Sequence, residues 1–215
     1  MKLSEAKYKS YSEIKNIIFD WGGVITDLNF KECVNAFEEM GFHYEWKFAG
    51  SEDDEIFLPF ETGKITVEEF RLRIRKNTKK PVTDGQINDA WNLVLGDLPY
   101  ERWNLLEKLK GSYRLFLLSN TNALHLDYYT GYLLNKFGTN GFFHLFDRTY
   151  FSFELGMRKP NPDIFEHVID NEKLVPAETL FIDDVEANII TAEKLGLRVY
   201  HLREPETLTD LFTEA

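Results

Sequence analysis

The sequence contains a single cysteine, Cys33, among its 215 residues. One cysteine excludes an internal disulfide and any zinc site built from several cysteines. Long apolar runs are also missing, since no stretch approaches the ~20 residues that a membrane-spanning helix needs. The start of the chain, MKLSEAKYKSYSEIK, lacks the apolar segment of a signal peptide. We therefore expect a cytoplasmic protein with no membrane partner.

Positive charge is scarce as well. Lys and Arg number 25 against 36 Asp and Glu, which gives a formal net charge of −11 at pH 7. Such a chain repels polyanions, so we expect no nucleic-acid partner. A small phosphorylated metabolite remains compatible, because a local cationic site can bind it. The aromatic fraction of 15% excludes disorder, and a monomer is the default expectation.

Four short apolar runs predict buried strands, at residues 16–19, 113–119, 179–182 and 197–202. Their apolar residues are continuous rather than alternating, which favours a parallel sheet covered on both faces. Two helical patterns each end at a glycine just before a strand, one at Gly111 and one at Gly196. This repeated unit predicts an α/β fold with a doubly wound parallel sheet.

The pattern changes between the first and second predicted strands. This stretch is helical in periodicity, contains no convincing buried strand and offers a capping box from Thr66 to Glu69. We expect it to form a small inserted helical domain of residues 29–98. Residues 12–28 and 99–215 would then form the core domain.

Three of the predicted strands end in polar side chains. The first ends at Asp20, the second at Ser119-Asn120 and the third at Asp183-Asp184. Because the carboxyl ends of parallel strands line one crevice, these side chains should converge there. Three carboxylates at close range are costly unless a cation neutralises them, and all-oxygen ligands favour Mg²⁺. Such an ion attracts a substrate phosphate, for which Lys159 could supply further positive charge.

Four segments carry a resemblance to a known family: FDWGGV, LLSNT, GMRKP and FIDDVEAN. They have the order and spacing of the four motifs of the haloacid dehalogenase-like hydrolases. The chain most resembles the phosphatase branch with a helical cap, which includes bacterial α-glucose-1-phosphatase and the phosphatase domain of soluble epoxide hydrolases. The resemblance implies a Rossmann-like core, a helical cap, Mg²⁺ as cofactor and hydrolysis of a phosphate ester, with sugar phosphates as the leading substrate class.

The resemblance also implies catalytic and substrate-binding roles. Asp20 would be the nucleophile that forms an aspartyl-phosphate. Ser119 would donate a hydrogen bond to the phosphate, with Asn120 beside it. Lys159 would balance the charge of the nucleophile and the phosphate.

A metal site follows from the same resemblance. Asp20 and the main-chain oxygen of Gly22 would bind Mg²⁺, as would Asp184. Asp183 would contact the ion through water. Asn188 would support this carboxylate pair.

Gly22 departs from the usual family pattern, in which a second aspartate at that position acts as general acid and base. Such proton transfer is typically worth ~10²–10⁴-fold in rate. Thr26, a cap side chain or water could replace the missing group. One hypothesis is that the substrate has a good leaving group, as in an anomeric sugar phosphate or an acyl phosphate. Another is that dephosphorylation is slow, so that phosphoenzyme accumulates.

Rival interpretations use the same residues. A catalytically weak regulatory protein would keep the phosphate and metal site but lack the acid/base aspartate. A 2-haloacid dehalogenase needs no metal, so the Asp183-Asp184 pair disfavours it. A mutase would generally keep the aspartate that Gly22 replaces.

Aromatic and histidine side chains carry weaker signals. The insertion contains Trp46, Phe57, Phe60 and Trp91, which we expect mainly in the core of a helical bundle. Trp21 could shape the site or pack behind the first strand. His125 lacks metal-ligand spacing and should be either structural or solvated.

Overall fold

A computed structural model describes residues 2–3, 13–46, 54–139 and 141–213. Its strands are β1 (Lys2–Leu3), β2 (Asn16–Phe19), β3 (Arg114–Ser119), β4 (Arg148–Phe151), β5 (Thr179–Asp183), β6 (Arg198–His201) and β7 (Phe212–Thr213). Strands β2 to β6 form one parallel sheet in the order β4-β3-β2-β5-β6. The short strands β1 and β7 pair antiparallel outside it.

Helices surround this sheet and fill the segment after β2. They are α1 (Phe30–Glu39), α2 (Phe57–Glu61), α3 (Val67–Lys76), α4 (Asp84–Asn92), α5 (Tyr100–Lys110), α6 (Ala123–Phe137), α7 (Ser152–Leu155), α8 (Pro162–Glu172) and α9 (Glu186–Lys194). None of these described helices is both long and apolar enough to cross a bilayer.

The sheet is buried on both faces, which explains the continuous apolar runs. Successive residues of a strand point to opposite faces. Ile17 and Phe19 therefore pack in a cluster with α5 and α6, whereas Ile18 packs in another cluster with α8 and α9. This three-layer arrangement confirms the predicted doubly wound α/β fold.

The predicted strands coincide closely with four strands of the parallel sheet, but one strand of that sheet was missed. The two-residue strands β1 and β7 were not predicted either. Strand β2 has the predicted bounds, and β3, β5 and β6 differ from prediction by one residue at their ends. The missed strand is β4, at the edge of the sheet. It begins with an exposed arginine, and only Tyr150 and Phe151 are buried, so its sequence contains no continuous apolar run.

Helices α1 to α4 share a hydrophobic cluster of their own. Its buried members include Cys33, Phe37, Phe57, Phe70 and Trp91. Between β2 and α5, the described residues contain only helices, turns and isolated bridges.

The ends of this helical segment are fixed locally. The chain enters and leaves it side by side, since Leu28 and Leu95 form an antiparallel bridge. The predicted capping box is present at the start of α3: Thr66 Oγ1 accepts from the Glu69 amide, and the Glu69 carboxylate accepts from the Thr66 amide. The predicted outer limits of the core, residues 12 and 215, lie outside the described residues.

Candidate active site

The acidic strand ends meet at the carboxyl edge of the sheet. Strand β2 lies between β3 and β5, and the Asp20 amide donates to the Ile182 carbonyl at 2.9 Å. One oxygen from each of Asp20, Asp183 and Asp184 lies within 4.8 Å of the other two. The structure thus brings Asp20 together with the adjacent Asp183 and Asp184, which lie 163 and 164 residues later in the sequence.

Lys159 reaches into this cluster from the loop before α8. Its Nζ lies 2.7 Å from Asp20 Oδ1 and 2.7 Å from Asp183 Oδ2, and its side chain is only 1% exposed. Burial lowers the pKa of Lys159, but the Asp183 and Asp20 carboxylates more than offset this and leave the pKa raised. The buried ammonium therefore remains charged.

Asn120 holds the loop that carries Lys159. Its Nδ2 donates to the Lys159 carbonyl at 2.9 Å, and its Oδ1 accepts from the Lys159 amide at 2.9 Å. The sequence predicted Asn120 only as a neighbour of the phosphate. Its observed contacts show that it also supports the lysine, and Asn120 lines the cavity as well.

Asp183 is enclosed by protein donors. Its Oδ1 accepts from the Val185 amide at 2.8 Å and its Oδ2 accepts from Lys159 at 2.7 Å, while Asn188 Nδ2 lies 3.0 Å from both oxygens. Asp184 is less buried than Asp183, and burial together with Asp183 raises its pKa. The geometry therefore leaves Asp184 the more open of the two to a cation.

The two glycines after Asp20 solve different steric problems. Gly23 has a positive φ of 77°, and a Cβ there would lie 2.3 Å from Asp184 Oδ2. Its lack of a side chain makes room for the Asp184 carboxylate. A Cβ on Gly22 would lie 2.9 Å from Leu28 Cδ2. The position of the missing aspartate is thus filled by the Leu28 side chain.

The charge of the cluster fits a divalent cation. Three carboxylates and one ammonium carry a formal charge of −2. Burial raises the pKa of Asp20 to about 7, with Lys159 opposing and Asp183 adding to the shift. A divalent cation would neutralise the formal charge of −2, and an all-oxygen donor set suits Mg²⁺. Asp20 and Asp184 would hold it.

A cavity of about 290 Å³ opens above the cluster. Asp20, Ser119, Lys159 and Asp184 contribute to its lining. Its other walls are largely apolar and include Trp21, Leu28, Phe30, Trp46, Phe57 and Trp91. A concave, mostly apolar site with a few convergent polar groups is typical of small-molecule binding.

The aromatic side chains combine packing with lining the cavity. Trp21 lines the cavity and also packs edge-on against Tyr129, with ring centroids 4.9 Å apart, so both interpretations of this residue hold. Phe57 and Trp91 belong to the helical cluster, as predicted, and reach the cavity as well. Phe60 stacks on Phe70 at 4.3 Å within that cluster.

His125 is neutral and structural, although it lines the cavity. Its Nδ1 lies 3.1 Å from Asn122 Nδ2, and its Nε2 lies 3.2 Å from the Trp91 carbonyl. These partners require Nδ1 to accept and Nε2 to donate, which is the pattern of a neutral ring. Burial lowers the pKa of His125 to about 4, with the Trp91 carbonyl opposing.

Sequence reasoning missed two charged residues of the cavity, Glu61 and Arg158. Arg158 lies in the GMRKP segment next to Lys159, so a signal was present. Glu61 stands in a helix with no chemical motif around it, and only the fold brings it to the cavity.

Comparison with known proteins identifies the family. The family model for haloacid dehalogenase-like hydrolases matches residues 14–196. The chain belongs to this family. The relationship that FDWGGV, LLSNT, GMRKP and FIDDVEAN indicated is therefore confirmed.

Several known proteins are similar to this chain over nearly its whole length. A D-ribitol-5-phosphate phosphatase from Bacteroides thetaiotaomicron is 31% identical, over 92% of this chain and 94% of its own. A sesquiterpene phosphatase from Aspergillus oryzae is 40% identical, over 88% of this chain and 90% of its own. A family enzyme from B. thetaiotaomicron, crystallised with magnesium and inorganic phosphate, has a TM-score of 0.82 at 40% identity, covering 93% of this chain and 100% of its own.

Proposed function

We propose that this protein is a Mg²⁺-dependent phosphatase that hydrolyses a small phosphorylated metabolite, a sugar or polyol phosphate, through an aspartyl-phosphate. The observation that carries the proposal is the buried contact of Lys159 with Asp20, at 2.7 Å, beside two further carboxylates at the base of a cavity. Two relatives are named phosphatases, which supports the reaction, and one of them is named for a polyol phosphate, which supports the substrate class.

In the first step, an Asp20 carboxylate oxygen attacks phosphorus as the bond to the leaving oxygen breaks. Lys159 sits beside that carboxylate and offsets the negative charge that the phosphoryl group brings. Ser119, which lines the cavity, donates its hydroxyl to a phosphate oxygen. When bound by Asp20, Asp184 and the Gly22 main-chain oxygen, Mg²⁺ would supply charge neutralisation for the phosphate.

In the second step, water attacks phosphorus and releases the Asp20 carboxylate. Gly22 has no side chain that could take the proton of that water, and Leu28 Cδ2 would lie 2.9 Å from a Cβ at this position. The Thr26 hydroxyl lines the cavity, but it lies 3.3 Å from the Trp21 carbonyl, to which it donates. This arrangement supports slow dephosphorylation and a preference for good leaving groups.

Residues 29–98 are proposed as a cap domain that covers the crevice and selects the substrate. The shared hydrophobic cluster of α1 to α4 supports this division, as does the contribution of Trp46, Phe57 and Trp91 to the cavity. A cavity of about 290 Å³ is just below the ~300–1,000 Å³ that is usual for drug-sized ligands. A phosphate with a short carbon chain fits such a volume.

A phosphate-release assay tests this function. We expect p-nitrophenyl phosphate and sugar phosphates to be hydrolysed with Mg²⁺ and not with EDTA. Asp20→Asn should abolish turnover, because the nucleophile is lost. Asp127→Asn, the same change at an exposed position of α6, should leave turnover intact.

The same assay distinguishes the phosphatase from a catalytically weak regulatory protein. Hydrolysis by Asp20→Asn at the rate of the unmodified protein would contradict the proposal. Binding of Mg²⁺ and phosphate without measurable turnover would favour a catalytically weak regulatory protein, for which the filled position beside Gly22 is the supporting observation.

A further inference from the structure

Glu61 is fixed against the catalytic core although it belongs to the helical segment. Its carbonyl accepts a hydrogen bond from Ser152 Oγ at 2.6 Å. The same Ser152 hydroxyl oxygen accepts from the Thr121 amide at 2.9 Å, and Thr121 lies two residues after Ser119. Ser152 therefore connects the backbone of Glu61 to the turn after Ser119, the serine proposed to bind the phosphate.

The Glu61 carboxylate lines the cavity together with Arg158. Its Oε2 lies 3.5 Å from Arg158 Nη2, and the two side chains are 20% and 18% exposed respectively. Oε2 itself is inaccessible to solvent and accepts no hydrogen bond from the residues that the structure describes. Burial raises the pKa of Glu61, and Arg158 opposes this shift. Oε2 is thus enclosed beside Arg158, and the exposed 20% of the Glu61 side chain lies at the cavity wall.

We propose that Glu61 determines specificity by accepting a hydrogen bond from a hydroxyl on the carbon chain of the substrate. The inference rests on the proposed phosphatase function, because it assumes a phosphate seated between Asp20, Ser119 and Lys159. Arg158 precedes Lys159 directly, and Glu61, Arg158 and Lys159 line the same cavity. A ligand hydroxyl there would donate to the part of the Glu61 carboxylate that is exposed at the cavity wall, while the enclosed Oε2 stays beside Arg158.

This arrangement discriminates against apolar chains. An alkyl or terpenyl phosphate would cover the Glu61 carboxylate without offering it a donor, which is unfavourable for a buried charge. A site built to bind a hydroxyl rejects an analogue without one far more strongly than an apolar pocket rejects a missing methylene. The apolar walls add contact area for any substrate, whereas Glu61 favours substrates that carry a hydroxyl over those that do not.

The test compares ribitol 5-phosphate with pentyl phosphate. Both are five-carbon primary alkyl phosphates, so their leaving groups are alike and only the hydroxyls differ. We expect kcat/KM of the unmodified protein to favour ribitol 5-phosphate by about 10- to 100-fold, the range for one charge-assisted hydrogen bond. Glu61→Leu should collapse this ratio towards one. Glu61→Gln, which keeps an acceptor and the shape, should retain part of it.

Controls separate the possible failures. Glu154→Gln, at an exposed position of α7, should leave the ratio unchanged. If p-nitrophenyl phosphate is not hydrolysed with Mg²⁺, the proposed function fails and this inference falls with it. If it is hydrolysed but Glu61→Leu keeps the ratio of the unmodified protein, Glu61 has only a structural role and the inference alone is overturned. Melting temperatures of both Glu61 variants show whether the fold is intact.

Discussion

Restoring a carboxylate at position 22 should accelerate hydrolysis of esters with poor leaving groups. A Cβ at Gly22 would lie 2.9 Å from Leu28 Cδ2 and 3.3 Å from Leu28 Cδ1 and Cγ. Gly22→Asp therefore requires the Leu28 side chain to move. Leu28→Ala would clear this space. Because Leu28 is 45% exposed, the substitution should lower the free energy of unfolding by about 1 kcal/mol, roughly half the value for a fully buried leucine.

The expected gain in rate can be worked out from the proton transfer that the new aspartate would provide. General acid–base catalysis contributes ~10²–10⁴-fold in rate, which is about 3 to 5 kcal/mol of barrier. An alkoxide leaving group needs a proton, whereas p-nitrophenolate leaves without one. The Gly22→Asp/Leu28→Ala variant should therefore gain most on pentyl phosphate. With p-nitrophenyl phosphate, the same variant should lose the initial burst that slow dephosphorylation produces.

Stopped-flow and steady-state assays with both esters measure these effects. Leu28→Ala alone controls for the cleared space, and Gly22→Asn/Leu28→Ala controls for a side chain of the same size without a titratable proton. If the aspartate variant binds Mg²⁺ normally yet gains no more than the asparagine variant on pentyl phosphate, proton transfer at position 22 does not limit the reaction.

Three further predictions concern the charged cluster. Gly23→Ala should weaken Mg²⁺ activation at least ~10-fold. The added Cβ would lie 2.3 Å from Asp184 Oδ2 and would displace a ligand carboxylate. An unchanged dependence of activity on Mg²⁺ concentration would refute this prediction. Lys159→Met should lower the free energy of unfolding of the metal-free protein by about 3–5 kcal/mol, because it leaves the Asp20 and Asp183 carboxylates buried without the ammonium group. Urea denaturation in EDTA measures this change. A decrease under ~1 kcal/mol would contradict the buried pairing of Lys159 with the two carboxylates. The pKa of Asp20, raised by burial from 3.8 to about 7, means that its ionisation opposes folding. Its contribution to stability is full below pH 3.8 and is lost as the pH rises towards 7. Melting temperatures in EDTA should therefore fall over this range more steeply in the unmodified protein than in Asp20→Asn, and equal slopes would count against the shift.

The sheet and the cluster at its edge could be predicted because both depend on local signals. Apolar runs identified the strands that are buried on both faces, and parallel topology required Asp20 and the Asp183-Asp184 pair to meet at one edge. Strand β4 was not predicted because it lies at the edge of the sheet and buries only part of its length, namely Tyr150 and Phe151.

Features that depend on tertiary docking could not be predicted. The Glu61 carboxylate lies in the cavity because the Glu61 carbonyl contacts Ser152, 91 residues later in the chain. Leu28 fills the space beside Gly22 because of how the chain turns into α1. The support that Asn120 gives to Lys159 likewise comes from two loops meeting, and no spacing in the sequence indicates it.

Trapping the phosphoenzyme tests the central claim, that Asp20 attacks phosphorus beside Lys159 in one metal-dependent site. Protein mixed with Mg²⁺ and phosphate-labelled p-nitrophenyl phosphate would be quenched with acid during the first turnover and its peptides mapped. We expect hydroxylamine-labile label on the peptide that contains Asp20, and none with Asp20→Asn or with EDTA. Label on another residue, or stoichiometric release of phosphate with no label on Asp20 at any quench time, would contradict the account.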